Sequence, residues 1–291
     1  MNKIFITMAA VAWCMIASAQ YQLKTGIKYS QENNEYAKER CELDVYYPTA
    51  IKDAPAVVKD KEQKDDAKHG LTGVAGIKDA PVVVWFHGGG LEAGNKEIPK
   101  ELKESGYVVI GVNYRLLPKA TISECIDDAA AAVAWACKHA EEYNGSSKKV
   151  FVSGHSAGGY LTDMIGLDKR WLAKYGIDAD SLAGLLPLSA QVITHYNIRK
   201  QNGIGPLQAI VDEFAPLTYV RADAPPIVVI SGDRELELYG RYEEQAYFWR
   251  MMKLTGHKDV TLYEMQGYDH GAMPQPSFHI VKHHIKRILG E

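Results

Sequence analysis

The chain has 291 residues, 46% hydrophobic, 24% charged and 10% aromatic, which excludes a disordered, collagenous or disulfide-framework protein. A net charge of −3, from 33 basic and 36 acidic residues, is near balance and of the wrong sign for a protein that binds nucleic acid by neutralising phosphates. After the first twenty positions no apolar run is long enough to span a membrane, so the predicted mature chain has no transmembrane segment.

In chain order, residues 1–19 read as a signal peptide. Lys3 gives a positive start, Ile4 to Ile16 is almost wholly apolar, and Ala17-Ser18-Ala19 supplies the small residues a signal peptidase reads. Cleavage would leave a mature chain starting at Gln20, with 32 basic against 36 acidic residues, in a secreted or periplasmic setting. Of four cysteines Cys14 would leave with the signal. Cys125 and Cys137 fall on one predicted helix, about 18 Å apart at 1.5 Å per residue, too far to bond. With Cys41 they read as small buried hydrophobes.

Leu43 to Tyr47 alternates as a strand does. Val82 to Phe86 and Tyr107 to Asn113 are continuous β-branched runs of the kind found in central buried strands, and shorter strands are expected at 150–153, 182–186, 227–230 and 260–263. Helical stretches are predicted at 98–105, 122–143, 157–175, 240–255 and 277–289. The alternation implies one α/β domain, with a mostly parallel sheet covered on both faces. Ile51 to Val58 recurs as Ile77 to Val84 with seven of eight positions identical, and a highly charged stretch lies between the copies. Residues 51–76 therefore read as a duplicated, exposed insertion, tolerated because loop-closure entropy rises slowly with length; a ligand- or partner-binding arm is the rival reading.

Three clusters carry chemistry. Gly154-His155-Ser156-Ala157-Gly158 lies directly after a strand and before a helix, the setting in which a tight turn exposes a serine hydroxyl over a helix N-terminus. His87-Gly88-Gly89-Gly90 follows a strand too. Its glycines leave backbone N–H groups unshielded, and with the Ala157 N–H they would form an oxyanion hole. No Lys-Ser/Thr pair follows, which disfavours a phosphate loop, and His87 reads as a structural hydrogen-bonder. Among ten histidines, only His270 sits on a loop at the same sheet edge just after a strand, where a general base is needed. His279 and His283 lack a third ligand, so they read as surface, and His155 points away from the nucleophile. The acid is sought after the strand 227–230, where Asp233 and Glu235 stand, with Glu237 further along. The order serine, acid, histidine is that of the α/β-hydrolases.

The chain resembles the esterase/lipase branch of the α/β-hydrolase fold related to hormone-sensitive lipase, of the bacterial exported carboxylesterase type. The resemblance rests on His87-Gly-Gly-Gly90, Val112-Asn-Tyr-Arg-Leu116, Asp128 heading the helix before the elbow, Gly154-His-Ser-Ala-Gly-Gly159, Ala215-Pro-Leu-Thr-Tyr-Val220 and Tyr268-Asp-His270. It implies Ser156 as nucleophile, His270 as base, and oxyanion donors from Gly88, Gly89, Gly90 and Ala157. The family spacing of a glycine, two residues, then the acid points to Glu235, whereas residue type favours Asp233; Glu235 is preferred. No metal or organic cofactor is required by this chemistry. A short cap with one helix near 206–214 is expected, giving an open site for short acyl groups. Tyr196, Tyr219, Tyr239 and Tyr268 could line it and stack on a sugar or aryl group, or serve only as packing residues. Acetyl or feruloyl esters of carbohydrates are the attractive substrates, and an amidase, aminopeptidase, formamidase-type hydrolase or non-catalytic binding protein remains an alternative.

Overall fold

The computed structural model describes residues 20–49 and 78–291. The signal-peptide reading of 1–19 and the insertion at 51–76 lie outside the described residues. Eight strands form one sheet in the order β1-β2-β4-β3-β5-β6-β7-β8. They are β1 (Gln20–Lys28), β2 (Glu42–Thr49), β3 (Ala80–Phe86), β4 (Val108–Val112), β5 (Gly145–His155), β6 (Gly184–Leu188), β7 (Ile227–Gly232) and β8 (Val260–Met265). The β1–β2 and β2–β4 pairs are antiparallel, and every other pair is parallel.

Each central strand buries both faces. Val82, Val84 and Phe86 of β3 join one core with the helices α2 (Ile122–His139), α3 (Ala157–Leu167), α4 (Lys169–Ala173) and α6 (Arg241–Leu254). Val83 and Trp85 point into the other, with Phe278, Val281 and Ile285 of α7 (Pro274–Leu289). Alternation at period two thus sends neighbouring residues into separate cores, which is why these strands read as unbroken apolar runs.

Several boundaries differ from expectation for local reasons. β1 carries a polar, largely exposed sequence as an edge strand, so it has no apolar run to announce it. The helix expected at 98–105 shrinks to a single 3-10 turn, Lys100–Leu102, between Pro99 and Gly106. The stretch expected as one helix over 157–175 breaks at Asp168, whose N–H still bonds to Met164 while its side chain caps α4 by accepting from the Arg170 N–H. Between β6 and β7 the helix is α5 (Tyr196–Gln201), and 206–214 is turn and loop. There the Asp212 carboxylate accepts from the Phe214 N–H and the Thr194 hydroxyl, bonds that fix a turn in place of a helix.

Asp128 lies within α2, beyond its first turn. The helix is headed by Thr121, whose hydroxyl accepts from the Glu124 N–H while the Glu124 carboxylate accepts from the Thr121 N–H. Asp128 instead takes the Arg115 guanidinium at 2.6 and 2.8 Å, a buried pair that fixes the chain leaving β4. The Tyr114 hydroxyl donates to the His87 carbonyl at 2.9 Å and its ring stacks on the His87 ring. The Val112-Asn-Tyr-Arg-Leu116 motif therefore buttresses the glycine loop from below.

Candidate active site

Strand β5 delivers Ser156. Ser156 has φ 56° and ψ −113°, a conformation that non-glycine residues rarely adopt, at the turn between β5 and α3. The turn is as tight as backbone allows: a Cβ on Gly158 would lie 2.1 Å from the Phe86 carbonyl oxygen, and one on Gly154 would lie 2.5 Å from the Gly158 carbonyl carbon. The Ser156 N–H is spent on the Leu188 carbonyl at 2.8 Å, which pins the elbow to β6. Ala157 opens α3, so its N–H has no intrahelical acceptor.

The glycine loop crosses beside this turn. A Cβ on Gly88 would stand 3.5 Å from Ser156 Cβ, whereas one on Gly90 would meet Tyr196 and Asn197. All three loop carbonyls are occupied: Gly88 by His87 Nδ1, Gly89 by the Glu92 and Ala93 N–H groups, Gly90 by the Asn197 amide. The N–H groups of Gly88, Gly89 and Gly90 have no protein acceptor among the described residues, as an oxyanion hole requires. His87 is the structural residue expected. Burial lowers its pKa to about 4, so it stays neutral.

His270 Nε2 lies 2.9 Å from Ser156 Oγ, and its Nδ1 donates to Glu237 Oε2 at 2.8 Å. The expected serine and histidine meet, but the acid beside the histidine is neither Glu235 nor Asp233. After β7 the chain makes one helical turn, with the Leu236 and Glu237 N–H groups both bonded to the Asp233 carbonyl. Asp233 spends its carboxylate on the Glu235 and Gly267 N–H groups, tying this turn to the loop after β8. Glu235 is left exposed on the outside, and four residues beyond Asp233 the turn brings Glu237 back beneath the histidine. The capping aspartate followed at i+4 by a glutamate was the signal that could have found it; a count from Gly232 passes it by.

Glu237 is heavily partnered. Oε1 accepts from the Ser189 hydroxyl at 2.6 Å and the Gly232 N–H at 3.0 Å. Burial alone would raise its pKa, but the bonds from His270 and Ser189 and the nearby charge of Arg241 outweigh it, bringing the carboxyl down to about 2. Ser189, unremarked in the sequence, has φ 46° and also stands 2.9 Å from His270 Nδ1. Buried Arg241 donates to its carbonyl, and Gln245 donates to Ala190 at 2.7 Å, so α6 anchors the loop that carries it. His155 does not touch the serine hydroxyl. Its Nε2 donates to the His270 carbonyl at 2.9 Å, and burial lowers its pKa to about 3, so it remains a neutral donor.

Of the four tyrosines, Tyr196 and Tyr239 meet, ring centres 6.1 Å apart, on the Gly90 side of the site, and Tyr268 is exposed two residues before His270. Tyr219 is placed elsewhere, bonded to Arg170 and the Glu213 carbonyl. His279 and His283 lie exposed on α7. The described cysteines are free, and burial raises Cys41 and Cys125 to about 12 and Cys137 to about 11.

The BD-FAE family matches residues 74–181, which hold the glycine loop and the serine elbow. A probable carboxylic ester hydrolase, LipM of Mycobacterium tuberculosis, is 30% identical over 53% of this chain and 41% of its own length. Esterase LipC of the same organism is 26% identical over 67% and 53%. Over these stretches the chain is similar to esterases, and its sheet and helices are those of an α/β-hydrolase fold. Among solved structures, this chain superposes on a truncated carbohydrate esterase from gut microbiota with a TM-score of 0.68 at 16% identity, covering 95% of this chain and 99% of that one. An esterase from Thermogutta terrifontis gives a TM-score of 0.63 at 20% identity, covering 92% of each chain. Both share the fold of this chain. The matched stretches span about half the length of LipM and LipC. Among the described residues no helix is long and apolar enough to cross a membrane.

Proposed function

We propose that this chain is an exported serine carboxylesterase that hydrolyses short-chain acyl esters through Ser156, His270 and Glu237. One observation carries the reading: an unbroken relay, Ser156 Oγ to His270 Nε2 at 2.9 Å and His270 Nδ1 to Glu237 Oε2 at 2.8 Å, beside a loop of uncommitted N–H groups. His270 accepts the serine proton as Oγ attacks the ester carbonyl. The N–H groups of the Gly88–Gly90 loop and of Ala157 hold the oxyanion, each worth roughly 10²–10³ in rate. His270 then protonates the leaving alcohol, and water activated by the same ring releases the acid. Glu237, ionised at any working pH by its low pKa, fixes the imidazole tautomer and balances its transient charge.

The short segment between β6 and β7 supports small acyl groups, and the carbohydrate esterase among the structural neighbours supports acetylated or feruloylated sugars as substrates. The N-terminal apolar stretch and its small-residue triplet support export. Cleavage after Ala19 would leave β1 whole, and N-terminal sequencing of the mature protein is expected to begin at Gln20. The activity is tested by assaying wild type and Ser156→Ala on p-nitrophenyl acetate and on the matching anilide. Ester turnover by wild type alone, well above anilide turnover, is the expected result. Retained ester turnover in Ser156→Ala would overturn the assignment.

A further inference from the structure

We infer that His155, the residue before Ser156, is a positioning residue that fixes the main chain of His270 and so sets the approach of the base to Ser156. The inference rests on the esterase reading above. His270 sits on an exposed loop, with residues 266–269, 271 and 272 all open to solvent. Its ring is tied to Ser156, Glu237 and Ser189, but those bonds act on the side chain and not on the backbone behind it. The His270 carbonyl also lacks the donor that a helix would supply. The Met273 N–H bonds to the Asp269 carbonyl at 3.0 Å, a helical turn leading into α7, and the next step of that turn would bring the N–H of residue 274 onto the His270 carbonyl. Residue 274 is proline, which has no N–H. Among the described residues a single group fills the gap, His155 Nε2 at 2.9 Å.

His155 is a rigid donor. It ends β5 in register with Leu188 of β6, and a carbonyl can only accept, so Nε2 carries the proton of the neutral ring. The ring lies 4.7 Å from the His270 ring, while its Nδ1 stands 3.3 Å from where a Cβ on Gly88 would be. One imidazole is thus wedged between the glycine loop and the loop that carries the base. Ser156 meets the side chain of His270 and His155 meets its main chain, so two adjacent residues at one strand end fix the distance the proton must cross. A misplacement of about 1 Å at such a site costs on the order of a hundredfold in rate.

The test measures kcat and KM on p-nitrophenyl acetate for wild type, His155→Phe, His155→Leu and His155→Gln, each checked for folding by its melting temperature. Phenylalanine and leucine fill the space without a donor, and glutamine offers an amide N–H at a similar reach. The two apolar variants are expected to lose about ten- to a hundredfold in kcat with KM within twofold, and glutamine to recover most of that loss. A second route supplies the missing helical donor: Pro274→Ala in the His155→Phe background is expected to regain at least threefold in kcat. Folded apolar variants with wild-type kcat, a change confined to KM, a glutamine variant no better than phenylalanine, or no gain from Pro274→Ala would each refute the role while the esterase stands. Should both apolar variants fail to fold, His155→Gln decides: kcat within fivefold of wild type upholds the donor role, and a greater loss or an unfolded glutamine variant overturns it. Wild type inactive on the ester refutes the underlying esterase reading itself.

Discussion

At the scale of single residues, the identity of the acid is the sharpest question. Three acidic side chains follow β7 within five positions, and only the turn geometry separates them. Glu237→Ala is expected to lower kcat on p-nitrophenyl acetate by roughly a hundred- to ten-thousand-fold, as loss of a triad acid does, while Glu235→Ala stays within twofold. Equal losses in the two variants would contradict the geometry. Ser189 is a positioning residue. Removing its hydroxyl leaves Glu237 Oε1 with the Gly232 N–H alone among its present donors, so Ser189→Ala is expected to lower kcat about tenfold with KM nearly unchanged. A change in KM alone would argue against that role. The meeting of Ser156 and His270 was legible because each sits at a fixed place relative to a strand end. The carboxylate that partners His270 was not, because a hydrogen-bonded turn after β7 displaces it by two residues from where an extended loop would hold it. Ser189 gave no signal, since nothing in its sequence surroundings marks a residue with positive φ.

At the scale of elements, the sequence revealed what burial writes into it. β3, β4, β5 and β7 announce themselves because both faces are packed, whereas β1 is a polar edge and α5 is a six-residue helix with few residues to set a period. The elbow depends on space rather than propensity. Gly158→Ala places a methyl 2.1 Å from the Phe86 carbonyl oxygen and is expected to cost about 1–3 kcal/mol or prevent folding, since backbone cannot step aside. Gly205→Ala, with nothing within 4 Å and φ outside the positive range, is the control and should leave the urea midpoint unchanged. The strands flanking the duplicated segment 51–76 are joined without it. Asn144 ties them together, its amide donating to the Pro48 carbonyl at 3.0 Å and its carbonyl accepting from the Ala80 N–H at 3.0 Å. The ends of β2 and β3 are thus already close, and a chain lacking 51–76 is expected to fold and keep its esterase activity. Loss of either would make the segment integral.

For the whole molecule, acid is the condition that should undo the fold. His87 and His155 are held neutral, with pKa values of about 4 and about 3 against an ordinary 6.5. The unfolded chain protonates these rings first, so their contribution is complete above 6.5 and fades as pH falls towards 3. Glu237 acts over a lower window. Its contribution is complete above 4.5 and is lost as pH falls through about 2, a loss on the order of 3 kcal/mol. Urea melts at pH 7, 5 and 3.5 should therefore show a midpoint that falls at each step, and a midpoint flat from 7 to 5 would contradict the buried neutral histidines. These shifts depend on which groups the fold encloses, which no sequence position states by itself.

The central claim is that Ser156 is a nucleophile activated by the folded relay of His270 and Glu237. The most direct measurement is covalent labelling with diethyl p-nitrophenyl phosphate, read by peptide mass spectrometry. One diethylphosphoryl adduct, on Ser156, is expected in the native protein, with none in His270→Ala or in urea-unfolded chain. A folded native protein that takes no label, or takes it elsewhere with Ser156 unmodified, would contradict the account.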